Sequence, residues 1–528
     1  MMPEARLDPV DVVVVGAGFG GAAFSRRLAE RRPGLRIVCL ERGRWVDRAA
    51  MPAHRQDWQR AILNEWATSP NLRLKAEAPS PSADYPVDDR GSVFKPLMWS
   101  GVGGSTITWA AHFPRLHPSD FRTRSLDGVG DDWPFDYFAL EPYYDQNDVE
   151  VGVAGLDGDP AYPPKMRRPM PPLPLGKLGM TAASGFDRLG WHWWPVDAAV
   201  NSRPYDGRDA CNNCGPCLIG CASRAKSSVD ATYWPKAIQS GVELRTEAVV
   251  ERVLIEGGRA TGALYRDSHG REVLQPAAFV VVAGNGIGTA RLLLASGLES
   301  PALGRNLMFH PAAYLRGMFS QELDGPIGPV GCALYSHEFY ETDPARGFKR
   351  GIHLQVTREN NALTQATRLE TLWGEAAHRQ LREEFRHSIA ILVMAEDLPE
   401  AHNRVSLTDD IAADGLPGVK LDYTMSEHSK RSLAFGVDRA EEVLRAAGAY
   451  RIARMNPSPM TGWHLLGTAR MGTDPASSVT DASGRCHGAP NLLIADGSLF
   501  PTVGAVNPGS TIGALALKIA DDLARDLA

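Results

Sequence analysis

Val12 to Gly43 reads VVVVGAGFGGAAFSRRLAERRPGLRIVCLERG, and the order of its parts decides the fold. Val12 to Val15 are β-branched and form a short apolar run, the pattern of a buried strand. The strand runs into Gly16, Gly18 and Gly21, which fill the glycine places of G-x-G-x-x-G. The first glycine permits a tight turn, the second a close approach of backbone to a pyrophosphate, and the third close packing of helix on strand. Phe19 lies inside this turn. Ala22 to Arg31 continues as a helix whose N-terminus is aimed at the phosphates. Arg36 to Leu40 reads as a second strand ending at Glu41, 25 positions after Gly16. That is where an acid grips a ribose hydroxyl, and Arg42 follows it beside the same site. An ordinary βαβ unit with a glycine turn leaves that acid unexplained. The stretch predicts a dinucleotide site in an α/β fold.

The rest of the composition narrows the class. At 528 residues the chain exceeds one small core, so two domains are expected. Hydrophobic content of 44% and charged content of 22% are those of a globular protein. A formal net charge of −6, with no Lys/Arg run, argues against a nucleic-acid surface. The start, MMPEARLDPVD, has neither a basic n-region before an apolar stretch nor twin arginines, and no apolar run is long enough to cross a bilayer. A cytoplasmic protein without a membrane span is expected. Four of the seven cysteines crowd between Cys211 and Cys221, which in a reducing compartment suggests metal or redox chemistry before disulfides.

Moving along the chain, Trp45 to about Pro86 is polar and Pro-rich with a helical pattern around Trp58 to Trp66, and reads as a covering excursion. Lys95 to Arg115 reads KPLMWSGVGGSTITWAAHFPR. Gly101, Gly103 and Gly104 let backbone lie against a flat ligand, and Ser105 and Thr106 add hydroxyls and amides. Trp99 and Trp109 bracket this loop, which argues against a solvated surface loop. Asp131 to Asp145 is aromatic and broken by proline, Ala154 to Pro174 reads as a long irregular link, and Trp191, Trp193 and Trp194 suit a core cluster. Cys211, Cys214, Cys217 and Cys221 follow C-x2-C-x2-C-x3-C, the ligand spacing of bacterial iron–sulfur proteins. Ala222 stands where a proline normally follows the fourth cysteine. The other reading is a compact loop of free thiols. Structural zinc usually takes two separated pairs, and the absence of C-x-x-C-H excludes c-type haem attachment. Glu243 to Ile255, Thr261 to Tyr265 and Glu272 to Leu274 carry a β pattern. Ala278 to Ala283 is a buried strand running into Gly284, Gly286 and Gly288, a second strand–glycine–helix unit that would complete the nucleotide sheet. Ala312 to Phe319, Ile352 to Val356, Ser388 to Ala395 and Val419 to Tyr423 alternate as strands. With helices at Thr371 to Phe385 and Glu427 to Ala447, they suit an antiparallel substrate-covering sheet.

At the carboxy-terminal end, GWHLLGTARMG (Gly462 to Gly472) contains His464. Asn491 to Ala495 reads as a strand ending at Asp496, where an acid can bond a cofactor hydroxyl. Asn507-Pro508-Gly509 opens a terminal helix whose positive end suits negative charge on a reduced ring. Sequence spacing cannot place Asn507 beside His464, 43 positions earlier.

These motifs together resemble the GMC (glucose–methanol–choline) flavin oxidoreductases. The resemblance rests on Gly16 to Glu41, GVGGST at Gly101 to Thr106, the unit at Val280 to Gly297, GRNLMFHP at Gly304 to Pro311, HLLGTARMG at His464 to Gly472 and IADGSLFPTVGAVNPGSTIG at Ile494 to Gly513. It implies FAD and a Rossmann-like FAD-binding domain joined to a substrate domain built on an antiparallel sheet flanked by helices. The expected divisions are 1–135, 211–310 and 460–528 for FAD binding, 136–210 for a substrate-domain segment and linker, and 311–459 for the substrate domain. The resemblance implies His464 and Asn507 as catalytic residues, and Gly16, Gly18, Phe19, Gly21, Glu41, Arg42, Gly103, Gly104, Ser105, Val249, Ala283, Asp496, Gly497 and Pro508 as cofactor contacts, with Val249 on adenine. It further implies oxidation of a CH–OH group of a small alcohol or sugar-like substrate. The proton goes to His464, whose unperturbed pKa is about 6.5, and the hydride to flavin N5. Some members attach FAD through a histidine before the tryptophan of the glycine-rich stretch. Thr108 stands there before Trp109, so non-covalent FAD is expected. The cysteine run resembles the gluconate- and sugar-dehydrogenase branch, some of whose members carry an iron–sulfur cluster, though no export signal or haem partner of that branch is visible. Electrons pass to an acceptor such as oxygen, a quinone or a protein. The rival readings are a peroxide-forming oxidase, a flavin-dependent lyase and a non-enzymatic flavin-binding module.

Overall fold

The strand Val10–Val15 lies inside a sheet whose strand order is Arg485–Cys486, Ala489–Ile494, Glu272–Val282, Val10–Val15, Ile37–Leu40, Glu243–Arg245. All neighbours in that order are parallel except Arg485–Cys486, which turns back on Ala489–Ile494. The computed structural model describes residues 3–51, 85–358, 373–412 and 414–527. The helical pattern at Trp58 to Trp66 lies outside the described residues. Val12 to Val15 are buried on both faces of the sheet, each worth about 1.5–3 kcal/mol, which explains a strand of unbroken β-branched residues.

The helix Phe19–Arg31 packs on this sheet beside the terminal helix Gly509–Asp526. Asp521 ties the two helices together by accepting from Arg27 Nε (2.7 Å) and Arg31 Nε (2.9 Å). The helix after the amino-terminal strand and the last helix of the chain thereby lie side by side. Among the described residues no helix is long and apolar enough to cross a membrane.

One sequence expectation for this sheet needs correction, and another gains detail. Glu272 to Leu274 and Ala278 to Ala283 form one strand, Glu272–Val282, that serves two pairings. Its first half pairs antiparallel with Arg259–Arg266, and its second half parallel with Val10–Val15. It is internal rather than completing the sheet, because Ala489–Ile494 extends the sheet beyond it. Glu243 to Ile255 breaks into Glu243–Arg245 and Val249–Glu256. The break arises where Glu247, at φ +54°, turns the chain so that Glu247 N–H donates to Gly43 O and Ala248 N–H to Glu41 O.

A second sheet, wholly antiparallel, runs Arg451–Met455, Ala312–Met318, Ser388–Ala395, Ile352–Arg358, Gly331–Ser336, Trp194–Pro195. The period-two alternation of its strands sorts their side chains. Ile352, Leu354 and Val356 join Ile391, Val393 and the helices Gly176–Leu189 and Glu427–Ala446 in one core. His353 and Gln355 therefore lie on the opposite face, with Leu392 and Met394 of the neighbouring strand. Helix Gly374–Glu384 falls within the expected span, whose first two residues lie outside the described ones. Val419 to Tyr423 does not join this sheet. It pairs with Arg404–Ile411 and Val87–Ser92 in a separate three-stranded sheet, because Val419, Leu421 and Tyr423 pack against Phe94, Leu307 and Phe309.

Candidate active site

The first glycine turn is a cradle closed by a second loop. Gly16 takes φ +101°, and a Cβ there would sit 2.5 Å from Ala283 O, so no side chain is accommodated. Ala283 N–H donates to Val15 O, which binds the second strand–glycine unit to the first. The GVGGST loop lies on this turn backbone to backbone. Gly103 N–H donates to Ala17 O (3.0 Å), and a Cβ on Gly104 would fall 2.8 Å from Gly18 Cα. The helix beginning at Gly18 carries no side-chain cap, which leaves its first-turn amides suited to a pyrophosphate. Phe19 points away into an aromatic group with Trp109, Phe113 and Tyr233.

Glu41 is buried. Its Oε2 accepts from Ala17 N–H (2.7 Å) and its Oε1 from Gly43 N–H (2.8 Å), tying the strand end to the glycine turn. Val249 follows the backbone that pairs with Glu41, so strand end and adenine candidate are adjacent. Arg42 reaches toward Asp414 (3.5 Å) and lies over the Tyr85 ring. Asp496 caps the turn Gly497–Leu499: Oδ1 accepts from Ser498 N–H and Oγ–H, and Oδ2 from Thr289 Oγ1–H. Burial pushes its carboxyl up, against those hydrogen bonds. Ser105 is exposed at the loop tip, where its carbonyl accepts from Thr108.

The catalytic candidates meet through backbone pairing. Met308 and Leu466 exchange N–H···O bonds in an antiparallel bridge. That register sets His310 opposite His464, and the two rings stand edge to face with Nδ1 to Nδ1 at 2.9 Å. His310 Nε2 is 3.0 Å from Gly504 O, which can only accept. The carbonyl assigns the tautomers in turn. His310 Nε2–H donates to Gly504, so neutral His310 Nδ1 accepts from His464 Nδ1–H. His464 Nε2 then carries a bare lone pair.

Beside that nitrogen, at 3.5 Å, lies Asn507 Nδ2. The orientation of this amide is fixed from the other side, because Gln355 Nε2–H donates to Asn507 Oδ1 (2.7 Å). Pro508 caps the terminal helix directly after Asn507. Burial, with the neighbouring His310 and His112 rings, holds His464 well below its ordinary pKa, and burial brings His310 and His112 to about 4. A buried neutral imidazole and an amide donor thus stand side by side, with Gln355 against the amide, Met394 beside Gln355 and Trp463 against the imidazole. That pairing can remove a proton from a hydroxyl and hold its oxygen.

Sequence reasoning placed His464 and Asn507 but gave no part to His310 or Gln355. His310 stands in the GRNLMFHP block, yet no spacing links it to His464, 154 positions later. Cys211, Cys214, Cys217 and Cys221 are all free thiols. Among the described residues no group of three or more His, Cys, Asp or Glu side chains is arranged to hold a metal ion, so the geometry gives the iron–sulfur reading no support. The cysteine loop is instead bound to the glycine loop by buried Lys226, whose Nζ donates to Ile107 O (2.6 Å), Trp109 O (3.1 Å) and Cys217 O (2.5 Å).

The chain matches the GMC oxidoreductase family over residues 181–312 and 399–516. It is 39% identical to a 2-methyl-1,2-propanediol dehydrogenase of Mycolicibacterium austroafricanum, over 98% of this chain and 96% of that one. It is 30% identical to the fructose dehydrogenase large subunit of Gluconobacter japonicus, over 98% of each chain. Pyridoxine 4-oxidase from Mesorbium loti has the same fold, with a TM-score of 0.67 at 18% identity over 97% of this chain and 99% of that one. With a glycine cradle suited to FAD and a buried histidine facing an amide, this chain belongs to the GMC oxidoreductase family.

Proposed function

We propose that the protein oxidises a CH–OH group of a small alcohol or sugar-like molecule, with His464 as base and Asn507 as hydrogen-bond donor to the reacting oxygen. One observation carries this reading: the Gly504–His310–His464 chain leaves His464 Nε2 unprotonated beside Asn507 Nδ2. A depressed pKa keeps the imidazole neutral at physiological pH, so it accepts a hydroxyl proton without first losing one. Asn507 Nδ2–H donates to the oxygen as negative charge builds there.

FAD, when bound, supplies the hydride acceptor. The amides after Gly16 and Gly18, with Gly103, Gly104 and Ser105, would hold its phosphates and ring. Glu41 would take a ribose hydroxyl, Val249 would lie against adenine, and Ala283, Asp496, Gly497 and Pro508 would line the flavin end. Thr108 offers no nucleophile of the histidine kind, so FAD would be held without a covalent bond. The names of the two relatives support a polyol or sugar-like substrate.

The test is a spectrum of purified protein followed by anaerobic addition of 2-methyl-1,2-propanediol and of D-fructose. Bleaching of flavin absorbance by either is the expected result; a flavin that no alcohol bleaches would point to lyase chemistry and overturn the reading. Acid precipitation should release the flavin, and yellow colour in the pellet would contradict non-covalent binding. Aerobic peroxide formation against dye reduction separates oxidase from dehydrogenase. A broad absorbance underlying the flavin bands would restore the iron–sulfur reading.

A further inference from the structure

Behind Gln355 lies a second chain of histidines that the mechanism above does not use. His353 shares a strand face with Gln355, and its Nε2 is buried with no hydrogen-bond partner among the described residues. Its other nitrogen, Nδ1, is 2.6 Å from His337 Nε2. His337 Nδ1 is 3.1 Å from His117 Nε2, and His117 Nδ1 is 3.4 Å from Glu341 Oε1. The three rings are buried, whereas the Glu341 side chain is 57% exposed. The line therefore runs from the strand face that carries Gln355 to solvent.

Its polarity follows from its outer end. An ionised carboxylate only accepts. Partial burial raises the Glu341 carboxyl, but His117, the Ser119 hydroxyl (2.9 Å) and Arg350 outweigh that and hold it below its ordinary value. His117 Nδ1–H therefore donates to Glu341, His337 Nδ1–H to His117 Nε2, and His353 Nδ1–H to His337 Nε2. With one proton per ring, this order leaves the inner terminus, His353 Nε2, as a bare acceptor.

We propose that His353, His337 and His117 form a proton conduit from the substrate space to Glu341, with His353 Nε2 as its inlet. The proposal rests on the alcohol-oxidation reading, in which every hydride given up leaves one proton on His464. A water or substrate hydroxyl bridging His464 and His353 passes that proton inward. As a new N–H bond forms at His353 Nε2, the Nδ1–H proton moves to His337 Nε2. The His337 Nδ1–H proton moves to His117 Nε2, and the His117 Nδ1–H proton to the Glu341 carboxylate, which releases it to solvent. No net charge stays inside, and each ring is left in its other tautomer, which a proton passing back inward from Glu341 restores before the next turnover.

Aromatic rings and imidazoles pack around His353 and His337. His353 faces His112 (ring centroids 5.2 Å) and Tyr335 (5.4 Å). His337 faces Tyr335, Tyr340, Tyr162 and His192, whose Nδ1 accepts from His337 N–H while its Nε2–H donates to Asp159. His117 is stacked on Tyr340 (3.9 Å) and lies near Tyr162, and Asp120 accepts from its backbone N–H. Asp120 is itself paired with Arg350, which also meets Asp127 and Glu396. Burial together with the neighbouring imidazoles depresses His353 and His337, so neither stores a proton.

The test uses FAD-loaded enzyme and two readouts. In single anaerobic turnovers with 2-methyl-1,2-propanediol in weak buffer, a pH indicator follows proton release while flavin absorbance follows reduction. In the wild type, release keeps pace with bleaching. In His117→Ala and Glu341→Gln, release should lag bleaching by about tenfold or more, and imidazole should restore it in His117→Ala. Release that still keeps pace in both variants, or an equal fall of bleaching and release that imidazole does not restore, would overturn the conduit.

The second readout needs no turnover. In 15N-histidine-labelled enzyme, the signal lost in His353→Phe should show Nδ1 protonated and Nε2 unprotonated; a protonated Nε2 at neutral pH overturns the proposal. If neither 2-methyl-1,2-propanediol nor D-fructose bleaches the wild type, the alcohol reading fails, and the histidine spectrum alone decides the conduit.

Discussion

Replacing Gln355 by leucine should slow flavin reduction without loss of flavin. The Asn507 amide can sit in two orientations. In the one present, Oδ1 accepts from Gln355 Nε2–H at 2.7 Å and Nδ2 faces the His464 lone pair at 3.5 Å. Turning the amide sets donor against donor on the Gln355 side and oxygen against lone pair on the His464 side. Leucine removes the first constraint and leaves a half-buried carbonyl oxygen without its partner, which costs about 1–3 kcal/mol. At 1.36 kcal/mol per decade, the reduction rate should fall about five- to 150-fold. Gln355→Glu should do more: an ionised carboxylate cannot donate to Asn507 Oδ1, so the amide turns and its donor is lost to the substrate oxygen. That variant should recover as pH falls, once the introduced carboxyl carries a proton to donate. Anaerobic stopped-flow reduction across pH is the assay. A Gln355→Leu rate within about twofold of wild type, at equal flavin content, would refute the claim that Gln355 sets the amide.

Three further outcomes follow from other parts of the structure. Gly16→Val places a Cβ 2.5 Å from Ala283 O at φ +101°, so the protein should be recovered without flavin or not fold; full flavin content by absorbance ratio would contradict the cradle. Asp397, buried among Tyr423, Ser429 and Phe309 N–H, is pushed by burial to about 7, against about 3.9 unfolded. The folded state thus binds the extra proton, and this group's contribution declines as pH rises from about 4 to 7. Asp397→Asn should flatten that part of the Tm-against-pH curve; an unchanged slope would be the opposing result. Because His464 is depressed well below its ordinary value, flavin reduction should not fall between about pH 8 and 6.5 through its protonation. A limb titrating near pH 6.5 that disappears in His464→Ala would contradict the burial argument.

The parts of the fold that sequence revealed are those encoded locally. Four valines, a glycine turn and Glu41 lie within 30 positions, and their order is their structure. The parallel pairing of Glu272–Val282 with Val10–Val15 was not legible, because that partner lies hundreds of residues earlier in the chain. Val419 to Tyr423 has the alternation of any half-buried strand, and alternation does not say which sheet it enters. At the candidate site, His464 and Asn507 were singled out through motifs, and the fold brings the two side chains within 3.5 Å. The residues that orient them were not, since His310 meets His464 only through the Met308–Leu466 register, and Gln355 is one polar residue on a strand face. The cysteine spacing suggested a cluster that the folded loop does not support, because spacing fixes neither the direction of the thiols nor their distances.

The account stands most directly on His464. In His464→Ala, purified with FAD, the flavin spectrum and content should match the wild type, while anaerobic reduction by the alcohol that bleaches the wild type slows about 10²- to 10⁴-fold. Reduction at the wild-type rate in that variant would contradict the assignment of the proton to this imidazole, and with it the mechanism built on the Gly504–His310–His464 chain.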